Sequence, residues 1–241
     1  SLSSPLCIMP TNVRIGTQGW NYDAWVGPFY PEGSRAVDFL SLYSRAFNTV
    51  ELDSTFYAIP SEKVVQGWLE RTPDDFVFAL KLPQEITHER RLRDSKDVLS
   101  EFIERMRLLG PKLGPILVQL GPDFGPTELP ALAAFLPMLP ADIRVAIEFR
   151  DRGWIHDGII ALLAEHEVAL TLTDARWIPR RTMLSLAERP TGRCSYMRWM
   201  GRSREIVDYS RIQVDRSREL EQWAAIIAQL AQRATEVYGY V

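Results

Sequence analysis

Cysteine is almost absent from the chain. Cys7 and Cys194 lie far apart and match no metal-binding or redox spacing, which points to two reduced thiols and excludes a disulfide scaffold or zinc ribbon. Long apolar runs are missing too: no stretch reaches the roughly 20 residues a membrane-spanning helix needs. The opening SLSSPLCIMP carries neither a basic leader nor an apolar signal core. A soluble, cytoplasmic protein with no membrane partner is the expectation. Positive charge is not in surplus. The formal net charge is -3, so the surface is not broadly basic in the manner of proteins that coat nucleic acid, although a local basic patch remains compatible.

What is present is alternation. Short runs rich in β-branched and aromatic residues recur between helical segments, with no linker or low-complexity stretch, and 46 % apolar residues supply one sizeable core. Strands are predicted at 13–18, 49–52, 76–81, 116–120, 145–149, 168–173, 194–199 and 236–241. Helices are predicted at 34–46, 61–71, 95–109, 128–138, 155–166 and 216–234, with Ser34, Ser61 and Ser95 placed to cap the first three. The stretch between the sixth and seventh strands reads as loop with a short helix. Eight strands joined by crossovers predict a single-domain α/β protein over 1–241, a (β/α)8 TIM-like barrel that ends at its eighth strand without a final helix. An open doubly wound sheet competes, but GTQGW after the first strand lacks the G-x-G-x-x-G spacing that such folds use for dinucleotides.

Side chains alternate faces along a strand. In FVFALK the bulky set Phe76, Phe78 and Leu80 suits packing against helices, leaving Val77, Ala79 and Lys81 to face inward. In RVAIEFR the same split leaves Ala146, Glu148 and Arg150 inward. Parity also sends Gln18, Glu51, Gln119, Asp174 and Arg198 inward, late in their strands. Polar groups from most strands are thus expected at the C-terminal mouth, where barrel enzymes carry out their chemistry. The competing reading is a neutral ion-pair network of Glu51, Lys81, Glu148, Arg150 and Arg198 that only plugs the barrel.

The loops add aromatic and basic groups. Trp20 and Tyr22 follow the first strand, together with Trp25 and Phe29, and Ser54, Phe56 and Tyr57 follow the second. Such rings can stack on sugars or bases, or can simply anchor the loop. Arg90, Arg91 and Arg93, then Arg176, Arg180 and Arg181, then Arg202 and Arg204, lie in three loops on the same side. They suit an anionic ligand, phosphate foremost, unless Glu89, Asp94, Glu188 and Glu205 balance them as solvated charge. His88, seven residues beyond Lys81, can reach the mouth as a general acid or base, whereas His156 and His166 fall on a helix and read as structural.

With these segments assembled, the chain resembles the YecE-like family, domain of unknown function 72 (DUF72). The resemblance rests on IGTQGWNYDAWVGPFYP, FNTVELDSTFYAIP, FVFALKLPQEITHERRL, LVQLGP, AIEFRDRGW and YMRWMG, in order along almost the whole chain. It implies a TIM-like barrel and implies no reaction. The family's usual Asn-rich segment and final helix after the last strand do not follow here. Met200 also stands where a histidine commonly precedes the glycine.

Two functions are expected to compete. In the first, Glu51 and Glu148 act as proton donor and acceptor across the barrel, as in a hydrolase, lyase or isomerase, with Lys81 and His88 beside them. Arg150, Arg198, Gln119, Asp174 and Gln18 would bind a phosphorylated sugar, nucleotide or nucleic-acid end. In the second, the arginines and aromatics bind nucleic acid or a phosphorylated ligand without turnover. A polar mouth with no present role, on a barrel serving assembly, is a third reading. No cofactor is expected. A divalent metal on Glu51, Glu148, Asp174 and His88 is a minor alternative, because no spacing motif supports it and three basic side chains share the mouth.

Overall fold

The computed structural model of the chain describes residues 12–201, 214–233 and 235–241. Cys7, Arg202, Arg204 and Glu205 fall outside them. The strands are β1 Val13–Gly16, β2 Thr49–Leu52, β3 Val77–Lys81, β4 Leu113–Gln119, β5 Val145–Glu148, β6 Ala169–Leu170, β7 Leu172–Ala175, β8 Cys194–Gly201 and β9 Glu236–Tyr240. The helices are α1 Ala36–Ala46, α2 Ser54–Tyr57, α3 Glu62–Glu70, α4 Lys96–Arg107, α5 Leu129–Phe135, α6 Asp157–Glu165, α7 Arg180–Leu186 and α8 Ser217–Gln232.

All paired strands run parallel, in two sheets ordered β1-β9-β8-β7 and β2-β3-β4-β5-β6. The strand expected at 168–173 is therefore two strands. Its first half pairs with β5 and its second with β8. Thr171 lies between the halves, and its amide still donates to the Ile147 carbonyl of β5 at 2.8 Å. On the other side, Gln18 bridges to Glu51, with the Glu51 amide donating to Thr17 and the Gly19 amide to Glu51. A Cβ on Gly16 would stand 2.3 Å from the Thr49 carbonyl oxygen, so only glycine lets β1 approach β2 this closely.

Ser61 caps α3, its hydroxyl accepting from the Val64 amide at 3.3 Å, as expected from the sequence. Ser34 does not cap α1, because its hydroxyl donates to the Pro31 carbonyl and the helix starts two residues later. Ser95 likewise turns its hydroxyl to the Arg93 carbonyl. The longer helices bury an apolar face; on α4 this is Val98, Leu99, Phe102, Ile103 and Met106, at the spacing of a helical stripe.

The two faces of the sheets are built differently. Phe76, Phe78 and Leu80 of β3 join the large apolar core beneath the helices, while Val77 and Ala79 join a second buried cluster on the opposite face. This inner cluster sets small residues, Ala79, Ala146 and Ala169, against three large ones, Tyr196, Tyr238 and Tyr240. The parity predicted for β3 and β5 holds, and small residues face large ones in this inner cluster.

Candidate functional site

The centre of the inner face is one arginine. Arg198, on β8 and 1 % exposed, reaches from its own sheet to two carboxylates on the other. Its Nε and Nη2 lie 2.8–3.1 Å from the carboxylate oxygens of Glu51 on β2, and its Nη1 lies 2.7 Å from Glu148 Oε2 on β5. Nη2 also donates to Gln18 Oε1 at 3.2 Å. Tyr196, two residues before Arg198 and so on the same face, donates its phenol proton to Glu51 Oε2 at 2.6 Å. Burial pushes the Glu51 carboxyl above its ordinary value, while Arg198 and the Tyr196 hydroxyl pull it back. Two carboxylates fully out of solvent would be untenable alone; the shared guanidinium fork is what permits them.

Nearer the solvent lies a second layer. Lys81 ends β3 with its side chain 12 % exposed, and its Nζ sits 4.1 Å from the centre of the Phe56 ring. Its carboxylate neighbour is Asp53, with Oδ1 at 3.9 Å. Among the described residues Nζ makes no hydrogen bond, and Asp53 Oδ1 is shut off from solvent with no donor. Burial lowers the Lys81 ammonium below its ordinary value, with Asp53 opposing and Arg198 reinforcing the shift. Arg150 donates through Nε to Glu148 Oε1 at 3.2 Å and lies 4.8 Å from the Trp177 ring, and its Nη atoms make no hydrogen bond among the described residues. The buried Trp177 Nε1 also has no acceptor among the described residues.

His88 meets the edge of this layer. Its ring stands at right angles to Phe56 at 5.1 Å, and Nδ1 lies 2.8 Å from the Thr87 hydroxyl. Burial, then Lys81 and Arg150, hold its imidazole below the ordinary value, which favours the neutral ring. The loop that carries it is unusual: Glu85–Glu89 form a π-helical turn, and Arg91, Leu92 and Asp94 adopt positive φ of 51°, 66° and 45°. Such conformations are costly for non-glycine residues and persist where neighbours enforce them. Here ion pairs do so: Arg90 to Glu85 and Asp97, Arg91 to Asp123 and Glu128, and Arg93 to Glu128.

Gln18, Glu51, Lys81, Glu148, Arg150 and Arg198 therefore come together from distant segments, with His88 at the margin. Gln119 is buried in register with Glu148, and its amide donates to the Leu120 carbonyl. The two glutamates expected to face a substrate from opposite sides instead both face Arg198, because an ionised carboxylate removed from water takes the strongest cation in reach. Asp174 corrects the parity assignment. It pairs in register with Trp199, faces the helices, and accepts from Arg180 Nε at 2.8 Å and Trp223 Nε1 at 2.9 Å. Alternation runs unbroken through Thr171: Val168, Leu170 and Leu172 lie in the helix-side core and Ala169 in the inner cluster, so the same count places Asp174 outward.

Arg90 and Arg91, expected to bind anions, are committed to carboxylates, though not to the acids expected to balance them. Tyr22 turns its hydroxyl back to the Gln18 carbonyl and packs on Trp25. Trp20 sets its ring edge against Trp68, which makes it a loop anchor. Ser54 opens α2 in solvent, and Tyr57 is 73 % exposed. Asp53, Tyr196 and Trp177 were missed as site residues. Alternation back from Arg198 would have found Tyr196; nothing in the sequence marks Trp177. Among the described residues no three His, Cys, Asp or Glu side chains converge as metal ligands, and no helix is long and apolar enough to cross a membrane.

Parallel strands jacketed by helices, with charged side chains from several strands meeting on one face, define an α/β protein built on parallel sheets. Comparison with known proteins narrows this: the chain belongs to the DUF72 family, proteins of unknown function, whose profile matches residues 14–241. It is 40 % identical over 146 residues to UPF0759 protein YecE of Escherichia coli, covering 61 % of this chain and 51 % of that one. It is 32 % identical over 150 residues to UPF0759 protein YunF of Bacillus subtilis, covering 59 % and 52 %. The chain thus spans about half the length of the curated relatives it matches. Among solved structures it resembles a DUF72 family protein of Thermotoga maritima, with a TM-score of 0.79 and 25 % identity over 95 % of this chain and 91 % of that one. A DUF72 family protein of Enterococcus faecalis shares the fold at a TM-score of 0.72 and 19 % identity, over 95 % and 87 %.

Proposed function

We propose that the two sheets form one closed eight-stranded barrel, with β6 and β7 as a single interrupted strand, and that its C-terminal mouth is the active site of a cytoplasmic enzyme acting on a small anionic substrate. The observation that carries this reading is Asp53 Oδ1, a buried oxygen with no hydrogen-bond donor among the described residues, facing the partly exposed Lys81 ammonium in a long ion pair at 3.9 Å. A folded protein satisfies nearly all its buried polar groups, and exceptions gather where a ligand completes them.

Lys81, the free Nη atoms of Arg150 and the His88 ring would hold the anion, with phosphate the best match to their geometry. Lys81 and Asp53 then exchange the proton, a task first assigned to the two glutamates. Glu51 and Glu148 hold Arg198 in place and supply the field beneath. Nucleic-acid binding through the arginine loops is weakened as an alternative, since Arg90, Arg91, Arg93 and Arg180 already pair with carboxylates.

The test is calorimetric titration with inorganic phosphate and a panel of phosphorylated sugars and nucleotides, followed by turnover measurements on whichever binds. Lys81→Met and Arg150→Met should each weaken binding by at least ~10-fold, about 1.4 kcal/mol. Asp53→Asn should retain binding and lose turnover. Unchanged affinity in both cation variants would remove the anion site, and unchanged turnover in Asp53→Asn would remove its proton-transfer role.

A further inference from the structure

The chain buries two lysines in opposite ways. Lys112 is 7 % exposed and donates to the carbonyl oxygens of Leu69 and Thr72 and to the Thr72 hydroxyl, at 2.8–3.1 Å. Its ammonium is fully occupied and structural. Lys81 makes no such bond among the described residues. It is fixed at the end of a strand, rests against the Phe56 face, and keeps a narrow opening to solvent. An amine at a strand end, partly open to solvent and tied only by a long ion pair to Asp53 and the Phe56 face, is arranged as a nucleophile.

We propose that Lys81 forms an imine with a carbonyl substrate that bears an anionic group. This deepens the preceding reading and rests on it for the anion. The step balances with groups already in place. Asp53 Oδ1 takes one proton from the Lys81 ammonium. The free amine attacks the carbonyl carbon, its second proton passes to the former carbonyl oxygen, and a carbinolamine results. Asp53 returns its proton to that hydroxyl, which leaves as water, and the nitrogen lone pair closes the carbon–nitrogen double bond to give a protonated imine. Ammonium and carbonyl become iminium and water, with no oxidant or reductant.

The surroundings suit each stage. Nucleophilic attack needs the neutral amine, and Lys81 sits among the positive charges of Arg198 and Arg150 in a buried position that disfavours its own charge; Asp53 and Glu51 oppose them. His88, also facing Lys81 from the loop after β3, has its ring held neutral by the same cations and adds no further charge. Arg150 lies beyond the amine with donors to spare, placed to take a phosphate or carboxylate one or two bonds from the carbonyl. The Phe56 ring covers one side of Nζ and so restricts approach of the carbonyl to the other.

The test is reductive trapping on the intact protein. The probe is glycolaldehyde phosphate with sodium cyanoborohydride at pH 7, with unphosphorylated glycolaldehyde in parallel, read by peptide mass mapping. The exposed Lys63 and Lys96 serve as internal references. Lys81 should be alkylated at least ~10-fold faster than either, inorganic phosphate should slow Lys81 alone, and Lys81→Arg should abolish the adduct there. Labelling of Lys81 no faster than Lys63 and Lys96 overturns the proposal. If phosphate binds calorimetrically at the mouth and Lys81 stays unlabelled, the imine fails and the anion site stands. If Lys81 labels equally fast with both aldehydes and phosphate does not protect it, the imine stands and the anion site fails.

Discussion

The Tyr196 hydroxyl donates to Glu51 Oε2 at 2.6 Å in a space where neither side chain touches solvent. The phenol is a neutral donor beside the ionic groups Glu51, Glu148 and Arg198, and burial beside a carboxylate keeps its proton on, well above the ordinary range for tyrosine. Tyr196→Phe keeps the ring that packs on Tyr240 and removes only this bond. The variant should lose about 1.5–3 kcal/mol, the range for a hydrogen bond to a charged group. Urea unfolding with an unchanged slope checks it; a loss under 0.5 kcal/mol would mean that water replaces the hydroxyl.

Arg198→Met leaves Glu51 and Glu148 buried with no shared cation. The expected cost is about 3–5 kcal/mol, enough to unfold a marginal domain. Arg198→Lys should recover little, since one ammonium cannot reproduce a fork that serves both carboxylates. The pair of variants separates geometry from charge in a single thermal-melt comparison. A fully stable lysine variant would show that charge alone suffices.

The two buried lysines predict opposite outcomes. Lys112→Met strips three hydrogen bonds and strands the acceptors on Leu69 and Thr72, at a cost of about 1–3 kcal/mol. Lys81→Met removes an ammonium that had no hydrogen bond to lose, so its melting temperature should hold or rise while binding at the mouth falls. Equal destabilisation by both would make Lys81 a structural residue.

Alkaline pH should reach the interior before it reaches the ion cluster. Burial pushes the Cys194 thiol and the Tyr43 and Tyr238 phenols each up to about 12, from ordinary values of 9.0 and 10.0. Because the folded values lie above the unfolded ones, the stability these neutral groups lend is complete below pH 9. It drains away as pH climbs from there through 12, where the unfolded chain ionises first. A tyrosine absorbance titration run beside urea melts at pH 8, 10 and 11 should show falling stability before native phenols ionise. Cys194 should stay unreactive toward thiol reagents until unfolding exposes it.

Much of this arrangement was legible in the sequence because alternation is a strong constraint. The small inward set Val77 and Ala79, and the polar ends Lys81, Glu148, Glu51 and Arg198, follow from counting every second residue from a bulky neighbour. The count fails where regular backbone fails. It says nothing of the π-turn that carries His88, whereas Asp174 shares its parity with the helix-facing Val168, Leu170 and Leu172 and follows from a consistent count. It also cannot weigh commitments: Arg90 and Arg91 look available as letters, and are occupied once Asp97, Asp123 and Glu128 fold beside them. Exposure is the other hidden variable, since Glu51 and Lys81 both lie late in their strands, yet one is sealed and the other reachable.

The position of Arg198 late in the chain has a consequence for synthesis. As the polypeptide leaves the ribosome, Gln18, Glu51 and Glu148 all emerge well before the guanidinium that neutralises them, and β1 must wait for β9, its neighbour in the sheet. The nascent chain therefore carries two acidic side chains destined for an anhydrous interior with nothing yet to escort them inward. Consolidation of this cluster is held back until β8 and β9 have been translated, which leaves helper proteins an interval in which to act.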